Sequence, residues 1–152
     1  MKKYFSVILL VISTLGAQQP IVDNDSISEV AEAKEVNWGA FISLLSEILE
    51  ETEPSGRSFS SRIETLQQKE IIPANWALTE SESLTRGQLS YVLVKVYKLK
   101  GSFMNSFFPS GRYSYQLLAD KGIMPPRRSE NDRLSGDEVL EAIRRLDEAG
   151  NQ

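Results

Sequence analysis

Apolar side chains recur at a spacing of three and four residues in three places along the chain. Phe41, Leu44, Leu45 and Ile48 form the first set, and Leu89, Val92, Leu93 and Val96 the second. Val139, Ala142, Ile143 and Leu146 form the third. That spacing puts four side chains on one stripe of an α-helix. Each set follows the same opening, an aliphatic residue and then a short polar one: Val36-Asn37, Leu84-Thr85 and Leu134-Ser135. Asn, Thr and Ser accept a hydrogen bond from a free N–H of the first turn, so all three are predicted N-caps. The aliphatic residue before each is placed to staple the helix start. Gln88 and Glu138 stand three residues past their caps and complete capping boxes, which Ala40 cannot do. Gly101, after Lys98 and Lys100, and Gly150 are predicted to end the second and third helices.

A second unit is also repeated. Ser61 to Pro73 parallels Tyr113 to Pro125 without a gap, each reading as a short helix with Ile63 and Leu66, or Tyr115 and Leu118, turned inward. The helix is expected to stop near Glu70 or Gly122, before an apolar pair and a proline (Ile71-Ile72-Pro73 and Ile123-Met124-Pro125). Gly122 suits a left-handed turn, and Glu70 suits it poorly. Polar loops, 74–83 and 126–133, lead to the next capped helix. No unit can bury its own stripe, so the copies are expected to pack on one another around a shared core. The fold class is all-α: a compact bundle of repeated long-helix and short-helix units over residues 36–148, with 149–152 as a tail.

The N-terminus reads as an address. Lys2 and Lys3 precede a largely apolar run from Phe5 to Leu15, and Gly16-Ala17 supply small residues before Gln18. This is the layout of a secretory signal peptide, 1–17, cleaved after Ala17. The run is too short for a permanent anchor, so no transmembrane anchor is expected after cleavage. Residues 18–35 are acidic, with Asp23, Asp25, Glu29, Glu32 and Glu35 against Lys34 alone, and read as a flexible leader. The protein is expected in the periplasm or at the cell surface.

Composition narrows the chemistry. The 152-residue chain has no His and no Cys, which excludes Ser-His-Asp and Cys-His nucleophile systems, disulfides and Cys/His zinc sites. A net charge of -4, about -6 once Lys2 and Lys3 are removed, argues against nucleic acid as a partner. The acidic run Glu47, Glu50, Glu51 and Glu53 lacks the spacing of a calcium loop. No metal, cofactor or catalytic residue is assigned. Glu80 and Glu82 are the nearest approach to paired carboxylates, and a polysaccharide hydrolase built on them is the weakest of three readings.

Leu84-Thr85-Arg86-Gly87-Gln88, following the short helix and the Ile71-Ile72-Pro73 turn, resembles the S-layer homology (SLH) family. That family opens its capped helix with an Ile/Leu-Thr-Arg-Ala/Gly-Glu/Gln pattern. Lys121 to Pro125 with Arg133 to Glu138 is similar to a degenerate further copy, and Val36-Asn37-Trp38-Gly39 to half of a first one. The resemblance implies helical clusters of pseudo-threefold symmetry and binding of an anionic cell-wall polymer in grooves between repeats, through the motif arginine. Only Arg86 matches that arginine; Trp38 and Gly136 occupy the equivalent positions.

The candidate ligand-binding residues are Arg86 with its helix-opening neighbours Thr85 and Gln88, Trp76, Arg112, Arg127 and Arg128. Arg86 follows a helix N-cap, where free N–H groups favour an anion; the alternative is a surface pair with Glu80 or Glu82. Trp76 offers a face for a sugar ring, and Trp38 the same, or both fill the core. Arg127 and Arg128, near Arg133, make a cation cluster or a solvated loop. Phe103, Phe107, Phe108 and Tyr113 form a candidate partner surface, or close the core. The leading expectation is an exported, non-enzymatic module bound to wall polysaccharide or a surface-layer component. The alternative is a helical adaptor or structural subunit of a periplasmic assembly, binding an envelope protein through residues 103–115.

Overall fold

The computed structural model describes residues 25–49, 57–100 and 110–150. Within them the chain is all-α: α1 (Asp25–Glu32), α2 (Trp38–Ile48), α3 (Phe59–Gln68), α4 (Arg86–Val96), α5 (Gly111–Asp120) and α6 (Gly136–Gly150). The segment expected to be a signal peptide, 1–17, residues 18–24 and the aromatic residues Phe103, Phe107 and Phe108 lie outside the described residues.

The caps form where their sequence places them. Asn37 accepts from Ala40 N at 2.9 Å, and Thr85 and Gln88 bond reciprocally as a capping box. Ser135 and Glu138 do the same at the head of α6. Behind the caps, Val36, Leu84 and Leu134 are fully buried, with Phe41, Leu45, Leu89, Leu93, Val139 and Ile143 around them in one core.

Main-chain hydrogen bonds close the three units into a ring. The first two N–H groups of α2, Trp38 and Gly39, donate to the carbonyls of Glu82 and Glu80, on the loop before α4. Those of α4, Arg86 and Gly87, donate to Asp132 and Glu130, on the loop before α6. Gly136, opening α6, donates to Ala33, just before α2. Each helix start, which has no intrahelical partner for its first N–H groups, is thus completed by the segment leading into the next. At the axis Leu84 N donates to Val36 O at 2.8 Å and Val36 N to Leu134 O at 2.9 Å.

The leader expectation is corrected over Asp25–Glu32. Asp25–Glu32 is helical, with Val30 fully buried and the Ser26 hydroxyl bonded to Glu47. α1 takes the short-helix place of the first unit, packing on α2 and α6. It docks against Gly136 so closely that a Cβ there would overlap the Val30 carbonyl oxygen, with the Val30 carbonyl carbon 2.7 Å away.

Three helix ends turn through the same motif. Ile71 N reaches Leu66 O and Glu70 N reaches Gln67 O; Leu99 with Lys98, and Ile123 with Gly122, repeat the pair. The turning residues Glu70, Lys98 and Gly122 have φ of 57°, 50° and 71°. α4 therefore ends at Val96 through Lys98, ahead of the Gly101 stop expected from sequence. Glu70 adopts the left-handed conformation that suits it poorly, because the buried Ile72 beyond it holds the turn in place.

Two substitutions test this frame. Gly136→Ala is expected to cost about 3 kcal/mol in thermal or denaturant unfolding, because backbone must move, and to speed amide exchange in α1. Gly150→Ala, with nothing within 4 Å of the added carbon, serves as a near-neutral control. Glu70→Gly is expected to raise stability by about 0.5–1 kcal/mol by relieving the left-handed backbone; a melting temperature at or below the parent's would refute the strain.

Candidate functional site

The three residues that follow the caps, Trp38, Arg86 and Gly136, hold equivalent places at the three junctions between units, and each junction is filled differently. Trp38 is fully buried and fills the core. Its ring meets Trp76 edge-on at 6.0 Å, and Trp76 lies 5.3 Å from Tyr91. Half-buried Trp76 thus plugs the junction between the first and second units. At the junction between the third and first, Gly136 leaves room only for the α1 backbone.

The junction between the second and third units stays open. A cavity of about 330 Å³ lies there, walled by Arg86, Ile123, Met124, Pro125, Asp137, Glu138, Glu141, Ala142 and Arg145. Arg86, with its guanidinium head, is only 3 % exposed. Its Nη2 donates to Glu138 Oε1 at 2.9 Å, whereas Nε and Nη1 are buried without a hydrogen-bond partner. The expected surface pairing with Glu80 or Glu82 is therefore replaced by an inter-unit bridge; those two residues are exposed and meet α2 through their carbonyls.

Glu138 works on two fronts. Its Oε2 accepts from Ser135 N at 3.1 Å, closing the α6 cap, while Oε1 takes Arg86. Partial burial pushes this carboxyl up, but the bonds from Arg86 and Ser135 and the guanidinium charge outweigh burial and hold it below the ordinary range. Further along α6, Arg145 bonds Glu141 at 2.7 Å and the Gly122 carbonyl at 2.9 Å. Hydrogen bonds from Arg144 and Arg145 lower the Glu141 carboxyl to about 2. Tyr115 sets the cavity's lip: its hydroxyl donates to Pro125 O at 2.7 Å and accepts from Arg128 N at 3.0 Å.

Of the residues expected to bind ligand, only Arg86 lines the cavity. Thr85 and Gln88 are spent on their mutual cap. Arg112 is exposed on the first turn of α5, and Arg127 and Arg128 are exposed beyond Pro126. Arg133 leaves that cation cluster to pair with Glu35 at 2.8 Å. Tyr113, half-buried, is the one residue of the expected partner surface that is described. Glu138, Asp137, Glu141 and Arg145 were not picked out as site residues from the sequence. The available signal was an acidic capping-box residue in the unit following the arginine.

No protein-family model matches this chain, and no curated protein does either.

Glu138→Gln is expected to cost about 2 kcal/mol at pH 7, less than the loss from a fully enclosed pair because this carboxylate side chain is 40 % exposed. A carboxyl held low in the fold stabilises above its ordinary value of 4.5 and loses that contribution as pH falls through the lowered one. The gap in melting temperature between parent and variant should therefore narrow on acidification below pH 4.5. A gap independent of pH would remove the ion pair as its cause.

Proposed function

We propose that this protein is an exported, non-enzymatic module that attaches to the cell envelope by holding a unit of wall polysaccharide in the junction between α4 and α6. One observation carries the reading: a buried arginine with two unpartnered nitrogens walls the junction that neither an aromatic plug nor a helix fills. Burying polar N–H groups without partners is costly, so a junction kept in this state is marked for a use other than stability. The resemblance of Leu84 to Gln88 to the SLH helix opening supports the same assignment. The signal-peptide layout of residues 1–17 supports export, and no helix among the described residues is long and apolar enough to cross a membrane.

Co-sedimentation with purified cell-wall sacculi tests this. The chain from Gln18 onward is expected to pellet with sacculi, and Arg86→Gln to lower the bound fraction at least about tenfold. Parent protein that stays in the supernatant, or an Arg86→Gln variant that folds and pellets equally, would overturn the proposal.

A further inference from the structure

We infer that the arginine turn ahead of α6 is a self-docking element: Arg127 and Arg128 of one copy meet the acidic outer stripe of α1 on a second copy. This goes beyond the envelope reading and does not rest on it.

The turn is held at both ends. Pro125 to Arg128 reverse direction around the Tyr115 hydroxyl, which donates to Pro125 O at 2.7 Å and accepts from Arg128 N at 3.0 Å. Pro126 suits the second place of such a turn, and Arg127 takes the third with a φ of 61°. Glycine fills that place with least strain, so an arginine there is held against its own backbone preference, as residues at functional sites often are. Further on, the Glu130 and Asp132 carbonyls accept from Gly87 and Arg86. Both arginines are thus presented on fixed backbone, which reduces the ordering lost on binding.

The corresponding loop before α4 does the opposite. Glu80 and Glu82 receive the start of α2 as Glu130 and Asp132 receive the start of α4. Two residues before Glu80, Leu78 packs on the core; two residues before Glu130, Arg128 is exposed. An inward plug is replaced by an outward pair of cations. Among the described residues, neither Arg127 nor Arg128 has an ion pair or a side-chain hydrogen bond. Arg86, Arg133, Arg144 and Arg145 are all paired.

The same chain carries the complementary surface. Asp25, Glu29 and Glu32 recur at helical spacing along α1, all exposed and without an ion pair among the described residues. Ser26 and Val30 hold the inner side of that helix down. Carboxylates one turn apart stand about 5–6 Å from each other at Cβ, within reach of two neighbouring guanidinium groups that can each grip one bidentately. Within one copy the two sets do not meet; between copies they can. The net charge of -4 repels whole copies, so attraction confined to these patches would also orient the contact.

Sedimentation equilibrium of the chain from Gln18 onward tests this. Exposed ion pairs are individually weak, so reversible association with a Kd of about 0.1 mM is expected at about 0.05 M salt. Affinity should fall at least about tenfold at about 0.5 M salt, where the charges are screened. Arg127→Gln/Arg128→Gln, at exposed positions, should keep the parent's melting temperature and sediment as monomer, and Glu29→Gln/Glu32→Gln should do the same. Charge reversal identifies the occupant: Arg127→Glu/Arg128→Glu and Glu29→Lys/Glu32→Lys should each be monomeric alone and associate when mixed.

A parent that stays monomeric to about 1 mM at low salt, leaving the arginines to some other acidic partner, would overturn the inference. So would association that strengthens with salt, glutamine variants that still associate, or reversed variants that fail to pair on mixing.

Discussion

The structure depends on each long helix borrowing its first hydrogen-bond acceptors from the segment that leads into the next one. An α-helix begins with N–H groups that its own turns cannot satisfy. The capping side chains Asn37, Thr85 and Ser135 meet those near the third helical position. The N–H groups at the helix entry go to Glu80, Glu82, Glu130, Asp132 and Ala33 carbonyls of other units. None of these bonds can form within a single unit. The ring therefore couples local folding to assembly, and burial of Val36, Leu84 and Leu134 along the axis follows from the same contacts.

This coupling explains why one position in each unit carries so much of the difference between the junctions. The residue after the cap faces the neighbouring unit by geometry, whatever its identity. A tryptophan there seals the junction with aromatic area, and a glycine lets a helix backbone seal it. An arginine brings a charge, and the chain answers with Glu138 from the neighbour rather than with solvent. Glu138 is already fixed by its bond to Ser135, so holding Arg86 costs it little additional ordering. The pair is thus pre-set, and the same carboxylate links the stability of the α6 start to the state of the cavity.

Much of the frame was legible in the sequence because its determinants are local. Caps, stripes and the prolines after Ile72 and Met124 act within a few residues of themselves, and the all-α fold with its repeated units follows from them. α1 was not legible: only Ser26 and Val30 are buried in it, and its acidic surface looks like solvated chain. What places it is the absence of a side chain at Gly136, over a hundred residues later in the sequence, and no local pattern reports that. The early stop of α4 was missed for a related reason. Lys98 and Glu70 accept a conformation that favours glycine because paired main-chain bonds and an apolar residue beyond them outweigh a strain of about 1 kcal/mol.

The site was half legible. Arg86 stood out by its position after a cap, but its partner did not, since the order of units around the ring decides which carboxylate it meets. That order also reverses the electrostatic inference. An arginine at a helix N-terminus, taken alone, is a place for an anion. Joined to Glu138, it has its counter-charge built in, with Nε and Nη1 buried without partners. Desolvating such a bridge brings no net stability when an apolar pair of the same volume would serve. A fold that seals its two other junctions with aromatic area and packed backbone had both solutions at hand. Retaining a charged, under-bonded group at the third junction sacrifices stability locally, which fits the binding role proposed for it more than a part in holding the ring together.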